Sequence, residues 1–354
     1  MDAQQITSAL RAGARELGFA SLGISRPQLE TEGQRLQAWW ERGHGADMDY
    51  MVKHGSKRYR PAELIPGTRS VISVSLPYWP EDADSMAALS DPQRAYIARY
   101  ALGRDYHKLM RKRLARLAAR LQELAAPRPV QARAFVDSAP VLEKPLAVQA
   151  GLGWMGKNTL IIHRQMGSAF FLGEIYTDLE LPPDAPLSEH CGSCRACIDV
   201  CPTHALRAPY RLDARLCISY LTIESREDIP EALRPALGNR IFGCDDCQLI
   251  CPWNRYARSS QEKDLQSRHG LHAARLQDLS YYTESDYRRI SEGSALGRIG
   301  YEGFLRNVAV GLGNARPEEA IMKATWRLCE HSSAQVRRHA RWAWGRLHAG
   351  HTHV

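Results

Sequence analysis

Apolar residues recur at helical spacing in several parts of the chain. Residues 5–18 carry one apolar face and predict an opening helix. Residues 105–124 place leucines on one face and lysine or arginine on most of the remainder, which predicts a long helix with a basic side. Residues 306–313 and 338–345 resemble each other, and their small residues within amphipathic helices are typical of a HEAT-like helical repeat.

Between the first two helices and after the second, the pattern becomes typical of strands. Residues 71–76 alternate apolar and small polar side chains before Pro77, which predicts a strand with one buried face. Further apolar runs predict strands at residues 134–136, 159–163 and 169–176. Helices and strands in this order favour an α+β fold for the N-terminal part of the chain.

Proline and cysteine divide the chain into three predicted domains. A proline-rich segment, residues 181–186, indicates a linker, and a cysteine-rich segment follows it. After this segment the strand patterns end and helical patterns take over. We therefore expect an α+β domain over residues 1–178, a cysteine-rich domain over 179–258 and a HEAT-like helical domain over 259–354.

Composition narrows the class of protein only slightly. The 354 residues are 44% hydrophobic and 24% charged, which is ordinary for a globular protein. The N-terminus lacks a basic region followed by an apolar stretch, and no apolar run approaches membrane-spanning length, so we expect a cytoplasmic protein without membrane association. The formal net charge of +8 suits a polyanionic partner, but a basic surface also serves solubility alone.

The spacing of the cysteines is the strongest chemical signal. Eight of the nine lie between Cys191 and Cys251. The arrangement is Cys191-x2-Cys194-x2-Cys197-x3-Cys201-Pro202, then a lone Cys217, then Cys244-x2-Cys247-x3-Cys251-Pro252. Bacterial two-cluster ferredoxins bind [4Fe–4S] clusters with runs of this kind, so the segment predicts two such clusters and electron transfer through them.

The ferredoxin pattern also implies which cysteine binds which cluster, because the cysteine before proline ligates the cluster of the other run. Cluster one would take Cys191, Cys194, Cys197 and Cys251, and cluster two would take Cys201, Cys217, Cys244 and Cys247. A zinc ribbon and disulfides are the alternatives. The repeated Cys-Pro endings disfavour zinc, and the absence of an export signal disfavours disulfides. The ninth thiol, Cys329, fits an ordinary buried apolar position.

Other motifs, read together with the cysteines, resemble the epoxyqueuosine reductase family over nearly the whole chain. They are His54-x3-Arg58-x2-Pro61-x2-Leu64-x-Pro66-Gly67, Gly103-Arg104-Asp105-Tyr106-His107, Val136-Asp137-Ser138, Gly151-Leu152-Gly153-Trp154-Met155-Gly156-Lys157-Asn158 and Gly238-Asn239-Arg240-x2-Gly243-Cys244-Asp245-x-Cys247. The resemblance implies a monomeric, cobalamin-dependent enzyme, with cob(II)alamin in the N-terminal domain, that deoxygenates epoxyqueuosine at the tRNA wobble position. It also implies an external electron donor, which the sequence does not identify.

The resemblance assigns roles to single residues. It makes Asp137 the proton donor, and because Asp137 follows an apolar strand we expect burial to raise its pKa. Without the resemblance, an aspartate capping a turn with Ser138 is the simpler interpretation. The resemblance implies cobalamin contacts at Arg58, Asp137, Ile161, Leu172, Ser219, Cys244 and Asp245.

The known cobalt-ligating pattern Asp-x-His-x-x-Gly is incomplete in this chain. Asp105 and His107 begin it, but Met110 stands where glycine is required. We therefore expect a cobalt without a histidine ligand from the protein.

Three segments are candidates for contact with tRNA. The resemblance implies Ser225 and Arg226, and the basic residues 108–120 and 337–341 offer further phosphate contacts, which position a nucleic acid without reading its sequence. A solvated basic face is the alternative for the first helix. Two other functions stay open at this point: a corrinoid reductive dehalogenase, and a ferredoxin-type electron carrier that is not an enzyme.

Overall fold

The structure is a computed structural model that describes residues 1–80, 84–257 and 259–349. Its strands are β1 Ser21–Ser25, β2 Ser70–Pro77, β3 Tyr96–Ile97, β4 Ala132–Phe135, β5 Trp154–Met155, β6 Ile161–Ile162, β7 Phe170–Thr177, β8 Leu206–Ala208, β9 Arg211–Leu212 and β10 Arg240–Phe242. Its helices are α1 Ala3–Glu16, α2 Glu30–Glu41, α3 Pro61–Leu64, α4 Ser85–Ser90, α5 Tyr106–Ala125, α6 Glu143–Gln149, α7 Ala196–Asp199, α8 Arg234–Leu237, α9 Asp246–Leu249, α10 Leu276–Ser280, α11 Glu284–Ser291, α12 Gly300–Gly313, α13 Glu319–Cys329 and α14 Ala334–Ala349.

The N-terminal part is built on an antiparallel sheet in the order β1-β2-β7-β4. The strand at residues 71–76 is confirmed as β2, but the prediction of one buried face is wrong, since Ser73 and Ser75 are as buried as Ile72 and Val74. One face of the sheet packs on α1 and α5, and α6 packs on the other. Small serines suit a strand that is covered on both sides.

The two predicted N-terminal helices are confirmed as α1 and α5. Asp105 caps α5 by accepting a hydrogen bond from the backbone N–H of His107 at 2.9 Å. The leucine face of α5 is buried against the sheet, with Leu114 and Leu117 fully inaccessible. This packing fixes the start of α5, and therefore the positions of the residues just after its cap, relative to β7.

The strand predicted at residues 159–163 is shorter than expected. Only Ile161–Ile162 forms a strand, paired with Trp154–Met155. Thr159 lies in a tight turn with a φ of 65°, and its N–H donates to the carbonyl of Gly156 at 2.9 Å. The turn interrupts the extended backbone and brings Asn158 to the second cysteine run, where its side-chain amide donates to the carbonyl of Cys247 at 3.2 Å.

The predicted linker is tied to the sheet. Asp184 accepts from the Arg11 guanidinium at 2.5 Å and from the backbone N–H of Ile24 at 2.9 Å, and Leu181 is buried. The second predicted boundary, residue 258, lies outside the described residues, as do residues 350–354 of the last predicted domain.

One segment of the N-terminal part belongs to the core of the C-terminal helices. Strand β3 pairs in parallel with β10, which lies next to the second cysteine run. Ile97 and Leu102 share a buried core with Phe304 and Val308 of α12. The three predicted domains therefore pack into common cores, and their division at residues 178 and 258 stays a prediction.

The two similar C-terminal segments are helical, lying in α12 and α14, which pack against each other and against α13. Arg306 of α12 is completely buried and donates to the carbonyls of Ser225 at 3.0 Å, Glu227 at 2.6 Å and Leu221 at 2.7 Å. These bonds hold a π-helical turn, Tyr220–Glu224, against α12. Among the described residues, no helix is long and apolar enough to cross a membrane.

Candidate active site

A cavity of about 360 Å³ lies where the N-terminal sheet meets the cysteine-rich segment. Ile161, Phe170 and Leu172 form an apolar wall. Cysteine thiols lie on another part of the lining, contributed by Cys201, Cys217, Cys244 and Cys247. Asp137 and Tyr106 also line it. The cavity therefore brings apolar surface, thiols and a carboxylate together.

The eight cysteines of the segment fall into two sets. The four that line the cavity are those that the ferredoxin pattern assigns to cluster two. Burial raises the pKa of Cys197 to about 11, and the charges of Cys251, Cys191 and Cys194 add to that rise, so these four thiols are neighbours. They are the set that the pattern assigns to cluster one. All nine cysteines are free thiols, and the assignment of ligands to each cluster stays a prediction.

The two sets adjoin, and the most exposed thiol belongs to the cluster-one set. Cys197 is among the charged neighbours of Cys247, so the sets are close to each other. Cys194 is exposed, whereas the other seven thiols of the segment are partly covered. Among the described residues, no three His, Cys, Asp or Glu side chains converge as they would around one metal ion. The thiols of a cubane bind separate irons and need no such convergence.

Asp137 is held by two donors beside the cavity. It accepts a hydrogen bond from the Tyr106 hydroxyl at 2.8 Å, and the Nε2 atom of His107 lies 3.3 Å from its carboxylate. Its φ of 34° is rare for a residue with a side chain, which is common at functional sites. Tyr106 is itself fixed by stacking on Phe171, with ring centroids 3.7 Å apart.

The sequence-based expectation for the pKa of Asp137 is wrong in direction. Burial does raise this pKa, but the hydrogen bonds from His107 and Tyr106 and the positive charge of His107 outweigh it, so the pKa of Asp137 lies below its ordinary value. The proton is carried by His107 instead. His107 also faces Asp105, with 2.6 Å between Nδ1 and Oδ1, and its two carboxylate partners raise its pKa to about 9.

Two acidic residues near Asp137 were not predicted. Glu143, the first residue of α6, lines the cavity and hydrogen-bonds with the backbone of Asp137. Burial and the negative charge of Asp137 raise the pKa of Glu143 to about 7. Glu174 of β7 is completely buried. Glu143 carried no distinctive signal in the sequence, because a glutamate in a first helical turn is common. The only signal for Glu174 was a single acidic residue within an apolar strand.

Six of the seven residues predicted to contact cobalamin line the cavity: Asp137, Ile161, Leu172, Ser219, Cys244 and Asp245. Asp245 is locked in place, accepting from the Tyr96 hydroxyl and the Arg99 backbone N–H at 2.8 Å each. The seventh, Arg58, is buried and donates to the carbonyl of Tyr50 at 2.5 Å, while its Nε has no partner. Asp137 is among the charges that act on Arg58.

The two tRNA candidates, Ser225 and Arg226, both form hydrogen bonds within the chain. Arg226 is exposed, but its guanidinium donates to the carbonyls of Ile299, at 2.6 Å, and Arg298. Ser225 is buried, and its carbonyl accepts from Arg306. Both line a second, smaller cavity of about 280 Å³.

The other basic candidates are partly engaged within the chain. In α5, Arg111 donates to the hydroxyl of Ser138 at 3.0 Å, next to Asp137, and Arg113 pairs with Glu262. In α14, Arg338 pairs with Asp228 at 2.5 Å. Lys157, which follows the glycine-rich segment, donates to the carbonyl of Cys194 at 2.9 Å, so its ammonium group serves the cluster-one loop.

Comparison with known proteins decides the family. The family model "Epoxyqueuosine reductase QueG, DUF1730" matches residues 58–138, and "4Fe-4S double cluster binding domain" matches residues 190–254. An epoxyqueuosine reductase of Pseudomonas aeruginosa is 53% identical over 343 residues, which cover 97% of this chain and 94% of the relative. The chain belongs to the epoxyqueuosine reductase family. The Escherichia coli member is 50% identical over 324 residues, covering 92% of this chain and 85% of the relative.

Solved structures of the family share the fold. An epoxyqueuosine reductase crystallised with an epoxyqueuosine-modified tRNA-Tyr stem loop superimposes with a TM-score of 0.88 at 25% identity, covering 98% of this chain and 91% of that one. The Bacillus subtilis epoxyqueuosine reductase, with its catalytic aspartate loop swung out of the active site, gives 0.86 at 25% identity, with the same coverage. The prediction of the family is confirmed, and the segment predicted to bind two clusters matches a double-cluster domain.

Proposed function

We propose that this protein reduces epoxyqueuosine in tRNA to queuosine. The observation that carries the proposal is the cavity, which presents the thiols of one cluster set and the Asp137 carboxylate to the same space. Removing the epoxide oxygen requires electrons and protons at one place. A site that joins an electron path to a carboxylate with two hydrogen-bond donors fits that requirement.

Cobalamin in this cavity is part of the proposal. When bound, it would supply a cobalt centre of low potential that passes electrons from cluster two to the substrate. Ile161 and Leu172 would pack against its ring, whereas Arg58, which lies outside the cavity lining, would reach an amide group of the cofactor only if its unpartnered Nε turned toward the cavity. Both ring nitrogens of His107 face carboxylates, which supports a cobalt without a histidine ligand.

We propose Asp137 as the group that delivers the proton to the epoxide oxygen. At neutral pH the carboxylate is ionised and His107 is protonated, so the pair holds one proton between Nε2 and Oδ2. As negative charge develops on the oxygen beside Asp137, the proton moves through the carboxylate to it. Tyr106 keeps the carboxylate oriented through its 2.8 Å hydrogen bond.

Electrons would enter at cluster one, because Cys194 is the exposed thiol of the segment, and would leave through cluster two toward the cavity. The donor is an external one-electron carrier. The anticodon stem would meet the basic side of α5, whose Arg111 lies next to Ser138, and the surface at Ser225 and Arg226. We propose that the protein acts as a monomer, with cobalamin in its N-terminal domain and a HEAT-like C-terminal domain.

Reconstitution tests the function directly. The protein is loaded anaerobically with iron, sulfide and cobalamin and given epoxyqueuosine-containing tRNA or a chlorinated phenol under a strong reductant. We expect queuosine in the tRNA and no dehalogenation. Dehalogenation without tRNA turnover would assign a different substrate, and a protein that binds no corrinoid would be an electron carrier.

Two further measurements test the proposed sites. Asp137→Ala should abolish turnover while leaving the cluster and corrin absorption spectra unchanged, whereas Asp264→Asn, at a similarly exposed aspartate paired with Arg104, should retain activity. If tRNA binding neutralises about four phosphates, the logarithm of affinity should fall with log[salt] at a slope of about −3 to −4. Affinity independent of salt would contradict the proposed tRNA surfaces.

A further inference from the structure

Glu174 is a buried acidic residue whose carboxylate is unpaired. It lies in the middle of β7, no solvent reaches it, and neither of its carboxylate oxygens has a hydrogen-bond partner. Burial raises the pKa of Glu174 well above its ordinary value, and the charges of Glu143 and Asp137 raise it further. A charged carboxylate without solvent or a hydrogen-bond partner is strongly unfavourable, so this site favours the protonated form of Glu174.

The side chain of Glu174 points toward α6. Leu172 and Tyr176 lie two residues to either side of it and share its face of the sheet. Leu172 shares a core with Ala147, and Tyr176 shares one with Leu146, both from α6. Glu143 lies one helical turn before these two residues and so on the same side of α6.

Glu143 connects Glu174 to the active site. It lines the cavity, and its carboxylate hydrogen-bonds with the backbone of Asp137. Asp137, Lys144 and His107 are the charged groups that act on it, and Glu143 is the first of the charges that act on Glu174. Three carboxyl groups thus lead from the cavity into the sheet in the order Asp137, Glu143, Glu174.

The proposed reaction needs more protons than Asp137 holds. Converting the epoxide to a carbon–carbon double bond and water breaks two C–O bonds and consumes two electrons and two protons. The external one-electron donor supplies both electrons through the clusters. Asp137 delivers one proton at a time, and its carboxylate, half-exposed in the free protein, would be covered by the bound cofactor and tRNA during turnover.

We propose that Glu143 and Glu174 form a buried proton store that recharges Asp137 within each turnover. This inference rests on the proposed function. The first proton, shared with His107, passes through Asp137 to the oxygen as the first C–O bond breaks. Glu143 then gives its proton to Asp137, which delivers it to the same oxygen as the second C–O bond breaks and water leaves. Glu174 reprotonates Glu143, and solvent refills the store after product release.

Glu174→Gln is the decisive variant, because glutamine keeps the size of the side chain and has no acidic proton to give. We expect its rate of epoxide reduction in a single turnover to fall roughly tenfold, less than the ~10²–10⁴-fold typical of a group that transfers a proton directly to a reacting atom, because Glu174 acts through Glu143 and Asp137. Tyr176→Phe is the matched control, since it removes another buried hydroxyl without a partner from the same face. It should retain the wild-type rate.

Infrared spectroscopy provides a second readout that does not depend on turnover. Wild-type protein at neutral pH should show the C=O stretches of two protonated carboxylic acids, and that of Glu143 should disappear as the pH rises above about 7. Glu174→Gln should lack the band that persists. The wild-type rate should fall above about pH 7 as Glu143 ionises, and Glu143→Gln should lose this dependence. Because the wild-type band and pH profile need no variant, they test the store even if Glu174→Gln does not fold.

The outcomes separate the store from the function. Wild-type protein that leaves epoxyqueuosine unchanged would refute the proposed function. Active wild-type protein with an equally active Glu174→Gln variant, or without the infrared band, would refute the store alone.

Discussion

Replacing Arg306 by leucine tests how the C-terminal helices support the active site. Arg306 donates to three buried carbonyls, those of Leu221, Ser225 and Glu227. Leaving each without a partner costs about 1–3 kcal/mol, or roughly 6 kcal/mol in total. Burial lowers the pKa of Arg306 to about 10, which corresponds to a cost of about 3 kcal/mol for burying its charge. Leucine is uncharged, so the variant avoids this cost. The expected net destabilisation is therefore about 3 kcal/mol.

The assay is anaerobic urea unfolding of the cluster-loaded protein, with limited proteolysis as a second probe. Arg338→Leu is the control, because Arg338 forms an exposed ion pair with Asp228 and its loss should cost less than about 1 kcal/mol. Arg306→Leu should also make the chain near the π-helical turn, Tyr220–Glu224, sensitive to protease. Equal unfolding midpoints for the two variants would refute the reasoning.

Two other changes test the site. The folded pKa of His107, about 9, exceeds the ordinary value of 6.5, so its stabilisation of the fold is complete below about pH 6.5 and is lost as the pH rises through 9. Between these values wild-type protein should lose about 3 kcal/mol more unfolding free energy than His107→Gln, and parallel pH curves would contradict the assigned ion pairs. Cys217→Ser should bind about half the iron of the wild type, because it loses a ligand of cluster two. The control Cys329→Ser, at a buried cysteine of α13, should bind as much iron as the wild type. A full iron content in Cys217→Ser would remove Cys217 from the ligand set.

Local patterns in the sequence predicted the elements whose signals lie within one segment. The leucine face of α5 and the apolar run of β7 both correspond to observed elements. The burial of Ser73 could not be read from alternation, because a small polar residue looks the same facing solvent or under α6. No local pattern predicted the pairing of β3 with β10, because the two strands are far apart in the sequence.

The site shows the same division between local and long-range information. Family motifs pointed to Asp137, yet the direction of its pKa shift depends on how close Tyr106 and His107 come to it in space. Glu174 carries no motif. Its significance comes from the absence of a partner and from its place beneath α6, and both are properties of the packed sheet.

The pairing of β3 with β10 has a consequence for synthesis of the protein in the cell. When Tyr96–Ile97 leaves the ribosome, its partner Arg240–Phe242 has not been made. At about 5–20 residues per second, the strand waits on the order of 10 s, and its apolar neighbours wait longer for α12. Before α12 is made, both cysteine runs emerge with their thiols uncovered. Iron–sulfur loading can therefore precede closure of the core, and a nascent chain deprived of clusters would expose this strand to chaperones or to aggregation.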